Sequence, residues 1–150
     1  MTRSAHEFLH PKGWKPTPGY ACGIAAEGRM IFLGGLIGWN ADQEFETDDF
    51  AGQVKQVLEN VVAVLATGGA RPEHITRMTW YITDKREYLG ALKEIGAAYK
   101  ATIGRHYPAM ALVQVVALLE DRAKVEIEVT AVVPNPAASK EAQDAGANRA

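Results

Sequence analysis

Ten residues, Lys124-Val125-Glu126-Ile127-Glu128-Val129-Thr130-Ala131-Val132-Val133, constrain the fold of this chain more than any others. Val125, Ile127, Val129, Ala131 and Val133 fall on one side, and Glu126, Glu128 and Thr130 on the other. That period of two is the signature of a β-strand with one face against a core. The opposite face carries carboxylates, and whether they do chemistry or only meet water decides what the protein does. Upstream, Tyr107-Pro108-Ala109-Met110 opens a first apolar run to Leu119, followed by a charged turn. Residues 107–133 together read as a hairpin.

The remaining elements follow from periodicity and punctuation. Residues 1–17 hold Pro11, Gly13 and Pro16 around Trp14 and read as an irregular arm rather than a helix. Tyr20–Ala26 and Arg29–Leu33 read as two short strands joined at Glu27-Gly28, a hairpin turn. Gly34-Gly35 interrupts the second strand, as glycines do at a bulge or where backbone comes close to something else. Phe50, Val54, Val57, Leu58, Val61, Val64 and Leu65 recur at helical spacing, with Asp48 and Asp49 before them and Gly68-Gly69 after. Ile75–Thr83 alternates again, with Met78, Trp80 and Ile82 on one face and Arg77, Thr79 and Tyr81 on the other. Asp84 and Glu87 have capping-box spacing before a second helical stripe of Tyr88, Leu92, Ile95 and Tyr99 that ends at Gly104. Residues 134–150 turn to Ala, Asn, Ser, Lys, Asp and Gly and read as a disordered tail.

The order β-β-α-β-α-β-β predicts an α+β fold of two layers, with both helices on one face of a mixed sheet. The other face mixes Arg77, Thr79, Glu126, Glu128 and Thr130 with small apolar residues, and association through it is the natural solution. At 150 residues the chain makes one domain, here residues 18–133. Its 16 basic and 18 acidic side chains leave no basic excess, so no nucleic-acid partner is expected. The apolar runs are too short to span a bilayer, and the first residues lack an apolar signal core; both point to a cytoplasmic protein without membrane contact. The one cysteine, Cys22, excludes an internal disulfide and reads as a small buried side chain. His6, His10, His74 and His106 do not fall at metal-ligand spacing, and no metal is expected. The glycine pairs lack a phosphate-loop pattern, and no cofactor is expected.

Several stretches carry a specific resemblance. They are Pro18-Gly19-Tyr20, Met30-Ile31-Phe32-Leu33-Gly34-Gly35, Gln53–Val61, Ile75–Asp84, Tyr107-Pro108-Ala109 and Val125–Val132. Over residues 18–133 the chain resembles the RidA (YjgF) family, whose members also carry the names L-PSP endoribonuclease and translation inhibitor. The resemblance implies a chorismate-mutase-like, RidA-like sandwich forming a homotrimer around a central β-barrel, with clefts between subunits. It also implies hydrolysis of a reactive enamine or imine with release of ammonia. By motif position the cleft residues are Tyr20, the Gly35 backbone and Glu126, with Glu126 orienting water. The family arginine that grips a substrate carboxylate does not carry over, because Met110 stands in its place. A methionine has no donors and offers an adaptable apolar wall. The chain therefore fits an Arg-less branch with a different small-molecule substrate, such as a 2-aminomuconate-like product of aromatic ring breakdown.

Each of these residues also has a plainer reading. Glu126 is a catalytic carboxylate or a solvated acid on a polar strand face, and Glu128 a salt-bridge or subunit contact. Tyr20 binds substrate or packs, and Gly35 exposes a backbone group or forms a simple bulge. Arg105 is a displaced anchor for an anion or a loop residue. The competing functions are a non-catalytic trimer that binds small ligands or acts as a chaperone, and the ribonuclease or translation-inhibitor activity of the family name. Acidic net charge and the lack of an aromatic and basic surface argue against the last.

Overall fold

The computed structural model describes residues 5–136. Most of the C-terminal segment expected as a tail, residues 137–150, lies outside the described residues, as do residues 1–4 of the arm. In chain order the elements are β1 (Glu7–Leu9), β2 (Gly23–Ala25), β3 (Arg29–Ile37), α1 (Phe50–Thr67), β4 (Ile75–Ile82), α2 (Lys85–Gly90), α3 (Leu92–Thr102), β5 (Ala109–Gln114) and β6 (Val125–Val133). A four-stranded mixed sheet has the order β3-β6-β4-β5, and β1 and β2 form a separate antiparallel pair. Helix α1 packs on β3 and β6 and against α3. The domain is a two-layer α+β fold.

Helix α1 forms for the reasons its sequence announces. The Asp49 carboxylate accepts the Gly52 N–H at 2.8 Å, an N-cap worth about 1 kcal/mol. Val54, Val57, Leu58, Val61 and Leu65 are fully buried, each contributing about 1.5–3 kcal/mol of apolar burial. Gly69 takes a left-handed φ of 70° just past the helix end. Strand β6 meets this helix with Val125, Ile127, Val129 and Ala131, all buried. Gln53 is fully buried and ties the two layers: its Nε2 donates to Thr47 O (3.1 Å) and Arg122 O (2.9 Å), and its Oε1 accepts the Lys124 N–H at 2.8 Å.

Both expected hairpins are overturned. Strand β2 pairs with β1, not with β3, so the arm is not wholly irregular; Glu7–Leu9 is a strand. The Glu27-Gly28 turn instead crosses the end of β6. A Cβ on Gly28 would lie 2.8 Å from the Val133 carbonyl carbon, and its φ is 146°. Strand β5 runs parallel to β4, while β6 lies between β3 and β4, antiparallel to both. Alternation fixes which face a residue takes, not which neighbour a strand pairs with.

The second helical stripe is broken in two at Ala91. Asp84 caps α2 through the Arg86 N–H at 2.8 Å, but the Glu87 carboxylate turns to Lys124 Nζ at 2.5 Å. No helix among the described residues is long and apolar enough to cross a membrane.

Candidate functional site

Strand β3 carries an irregularity between Leu33, which pairs with Val129, and Leu36, which pairs with Ile127. Gly34 and Gly35 therefore oppose Glu128 alone, two residues against one, which is a β-bulge at the expected glycines. The bulge brings Gly35 under the Glu126 side chain, whose carboxylate covers its Cα. Glu126 is half-buried and faces Tyr81 across the ladder to β4. Glu128, one pleat along, accepts the Tyr81 hydroxyl at 2.8 Å rather than a salt bridge. That hydrogen bond raises the Tyr81 hydroxyl above the usual phenol range. Glu126, Glu128, Tyr81 and the exposed Arg77 all lie on the sheet face away from the helices.

The other predicted site residues gather elsewhere. Tyr20 precedes β2 on a loop tied to the start of β5 by the Ala21 N–H donating to Pro108 O at 3.0 Å. With Arg105 it lines a cavity of about 350 Å³, along with Phe8, His10, Cys22 and Tyr107. Cys22, expected to be buried, is exposed, with its Sγ 3.8 Å from His10 Nδ1. Beside this lies a second chamber of about 170 Å³, walled by Trp80, Tyr88, Ile95, Tyr99, Tyr107 and Met110. The two share Gly19 and Tyr107. Met110 is in register with Met78, so it faces the helix layer.

The two groups thus lie on opposite faces of one sheet. Gly35 and Glu126 sit on the open face, while Met110 faces the helices, and Tyr20 and Arg105 lie near the start of β5. A single chain does not bring its predicted site residues together.

The chamber walls Trp80, Tyr88, Tyr99 and Tyr107 were not legible as site residues. Trp80 and Tyr99 fall on ordinary core stripes, and nothing in their spacing separates a cavity wall from packing. Tyr99 stacks on Tyr107 at 5.5 Å, and its hydroxyl donates to His106 O at 2.7 Å. Burial raises that hydroxyl far above the usual phenol range.

Behind the arm, three histidines cluster. His6 Nε2 donates to His74 O (3.2 Å), His106 Nε2 donates to Ile75 O (2.7 Å), and His74 Nδ1 accepts the Arg71 N–H at 3.0 Å. Burial lowers both His74 and His106 from the usual imidazole value. Among the described residues no group of three or more His, Cys, Asp or Glu is arranged to hold a metal ion.

Fold and chamber define a two-layer α+β domain with room for a small molecule beside its edge strand. The chain belongs to the Endoribonuclease L-PSP family, the RidA/YjgF family of the resemblance above, which matches residues 13–133. It is 35% identical to Protein DfrA of Myxococcus xanthus over 142 residues, covering 88% of this chain and 99% of that one. It is 32% identical to the 2-iminobutanoate/2-iminopropanoate deaminase of Escherichia coli strain K12 over 108 residues, 70% of this chain and 80% of the other. The crystal structure of the conserved Rid family protein YyfB from Yersinia pestis superimposes with a TM-score of 0.76 at 28% identity, covering 86% of this chain and 99% of that one.

Proposed function

We propose that the protein is a hydrolytic deaminase for a small imine or enamine, with a site completed between copies of the chain. The observation that carries this reading is the split of the site across the two sheet faces, which leaves Glu126 and Gly35 without a substrate wall unless a second copy supplies one. A homotrimer packed through the open faces closes such a cleft three times. There Glu126 takes a proton from water as the water adds to the C=N carbon. Glu126 returns that proton to the nitrogen, the C–N bond breaks to release ammonia, and the added oxygen loses its remaining proton to become a carbonyl. The Gly35 backbone and Tyr20 position the substrate, Met110 forms an apolar wall, and Arg105 stands at the mouth. The likeness to the Escherichia coli 2-imino-acid deaminase supports the reaction class. Met110 in place of the family arginine supports an Arg-less branch with a different substrate, such as a 2-aminomuconate-like enamine.

Ammonia release from freshly generated imines tests this reading, using Glu126→Gln and Tyr20→Phe apart and then refolded together. Each variant alone is expected to lose turnover. Random mixing should restore about one quarter of wild-type activity, because a site drawing on two neighbours is intact when both contributions are native. Wild-type protein that binds ligands but releases no ammonia would instead establish the non-catalytic reading.

A further inference from the structure

The chamber beside Met110 has a volume and a lining that together describe its occupant. Its volume is about 170 Å³, and an apolar cavity of about 150 Å³ holds a benzene molecule. Its lining of Trp80, Tyr88, Leu92, Ile95, Tyr99 and Met110, with Gly19, Gly96, Tyr107 and Leu112, includes no charged side chain. Trp80 is 2% exposed, and its Nε1, which lacks a hydrogen-bond partner, has almost no accessible surface, so the chamber presents the indole as an apolar wall.

We infer that this chamber binds an uncharged, benzene-sized apolar group that packs among the Trp80, Tyr88, Tyr99 and Met110 side chains. A carboxylate does not belong here, because no cation or ring of donors offsets its desolvation. The Tyr99 hydroxyl is already committed to His106 O. A ligand that also bears an acid places it in the adjoining cavity, where Arg105 stands across the shared Gly19 and Tyr107. The substrate class is then an imine or enamine with a ring or a branched apolar body, rather than a short-chain 2-imino acid. That this occupant is also the molecule that reacts rests on the hydrolase reading; its binding does not.

The test uses the full chain in its own oligomeric state, labelled with ¹⁵N so that its three indole N–H groups are visible. Trp80→Phe assigns the Trp80 resonance. Acetophenone, an uncharged ring of the right size, should shift that resonance through its ring current and saturate the change, leaving Trp14 and Trp39 in place. Pyruvate at the same concentration should move none of them. Gly96 lines the chamber, and a Cβ there meets nothing within 4 Å. Gly96→Leu therefore fills the space without a backbone clash and suits α3 better than glycine. It should weaken acetophenone binding by at least about tenfold, since the leucine takes the volume the ring needs. An unmoved Trp80 resonance, an equal response to pyruvate, or undiminished binding by Gly96→Leu overturns the inference. Turnover of short-chain imines without acetophenone binding leaves the hydrolase reading and removes this occupant. Acetophenone binding with no turnover of any imine does the reverse.

Discussion

The carboxylate of Glu126 fills the space that a side chain at residue 35 would need: a Cβ built on Gly35 would lie 2.7 Å from Glu126 Cδ. The obstruction is the far end of a flexible side chain, so Gly35→Ala displaces the carboxylate and leaves the backbone intact. The variant is expected to stay within about 1 kcal/mol of wild-type stability. Its ammonia release should fall by about a hundredfold or more, as for loss of a positioned base. Denaturant unfolding and turnover on one preparation separate the two effects. A large loss of stability with normal residual turnover would show that residue 35 serves packing alone.

Phe32 is 70% exposed and Met30 56%, on the open face opposite Thr130 and Val132. Such a patch calls for a partner. Phe32→Lys should reduce the sedimenting species from a trimer to a monomer while the circular dichroism of the fold is unchanged. Wild-type protein that sediments as a monomer would remove the shared site altogether.

Gln53 makes three hydrogen bonds to backbone, two joining α1 to the segment that leads into β6 and one to Thr47 in the loop before α1. Gln53→Leu leaves two carbonyls and one N–H without that partner inside the domain. The expected loss is about 3 kcal/mol, given about 1–3 kcal/mol for each buried polar group left unmade and partial rescue by water. A shift in the urea midpoint at unchanged slope measures it.

Acid should destabilise the arm side of the domain. His74 is lowered by burial, which outweighs the raising effect of Glu73 and is reinforced by Arg71, His6 and His106. His106 is lowered by burial, against its bond to Ile75 O and a smaller effect of Glu73, with His6 adding to the lowering. The unfolded chain takes up protons near pH 6.5, while the native imidazoles still resist them. The unfolded state then binds more protons, so stability falls as the pH drops below about 6.5 and is unaffected by these groups above it. Urea midpoints from pH 8 to pH 5 should show this bend, and the double variant His74→Gln, His106→Gln should flatten it. An equal bend in that variant would assign the acid sensitivity to carboxylates.

The legible part of this fold was set by local chemistry. Asp49, the Val54–Leu65 stripe and Gly68-Gly69 announced α1, and the alternation of Val125–Val133 announced β6 with its carboxylates on the far face. Gly34-Gly35 marked the bulge. What stayed hidden was non-local: nothing in the Tyr107–Gln114 run tells that β5 pairs parallel with β4, or that β6 separates β3 from β4. Gly90 and Ala91 broke the second helix where an apolar stripe ran on without interruption. Gly35 and Glu126, grouped by the resemblance, lie in contact, whereas the Trp80 and Tyr99 walls were indistinguishable from core until the chamber was seen.

The position of β6 also governs when the protein can form during synthesis. It comes last among the described strands yet sits second in the sheet, holding β3 on one side and β4 on the other. Until residue 133 has cleared the ribosomal exit tunnel, β3 has no neighbour, and the nascent chain exposes the inner faces of α1 and β4 to solvent or to chaperones. Folding of the sheet then waits on β6 and is nearly all-or-none. A chain cut short before residue 125 would lack its sheet, while one that runs through residue 133 holds every strand of it.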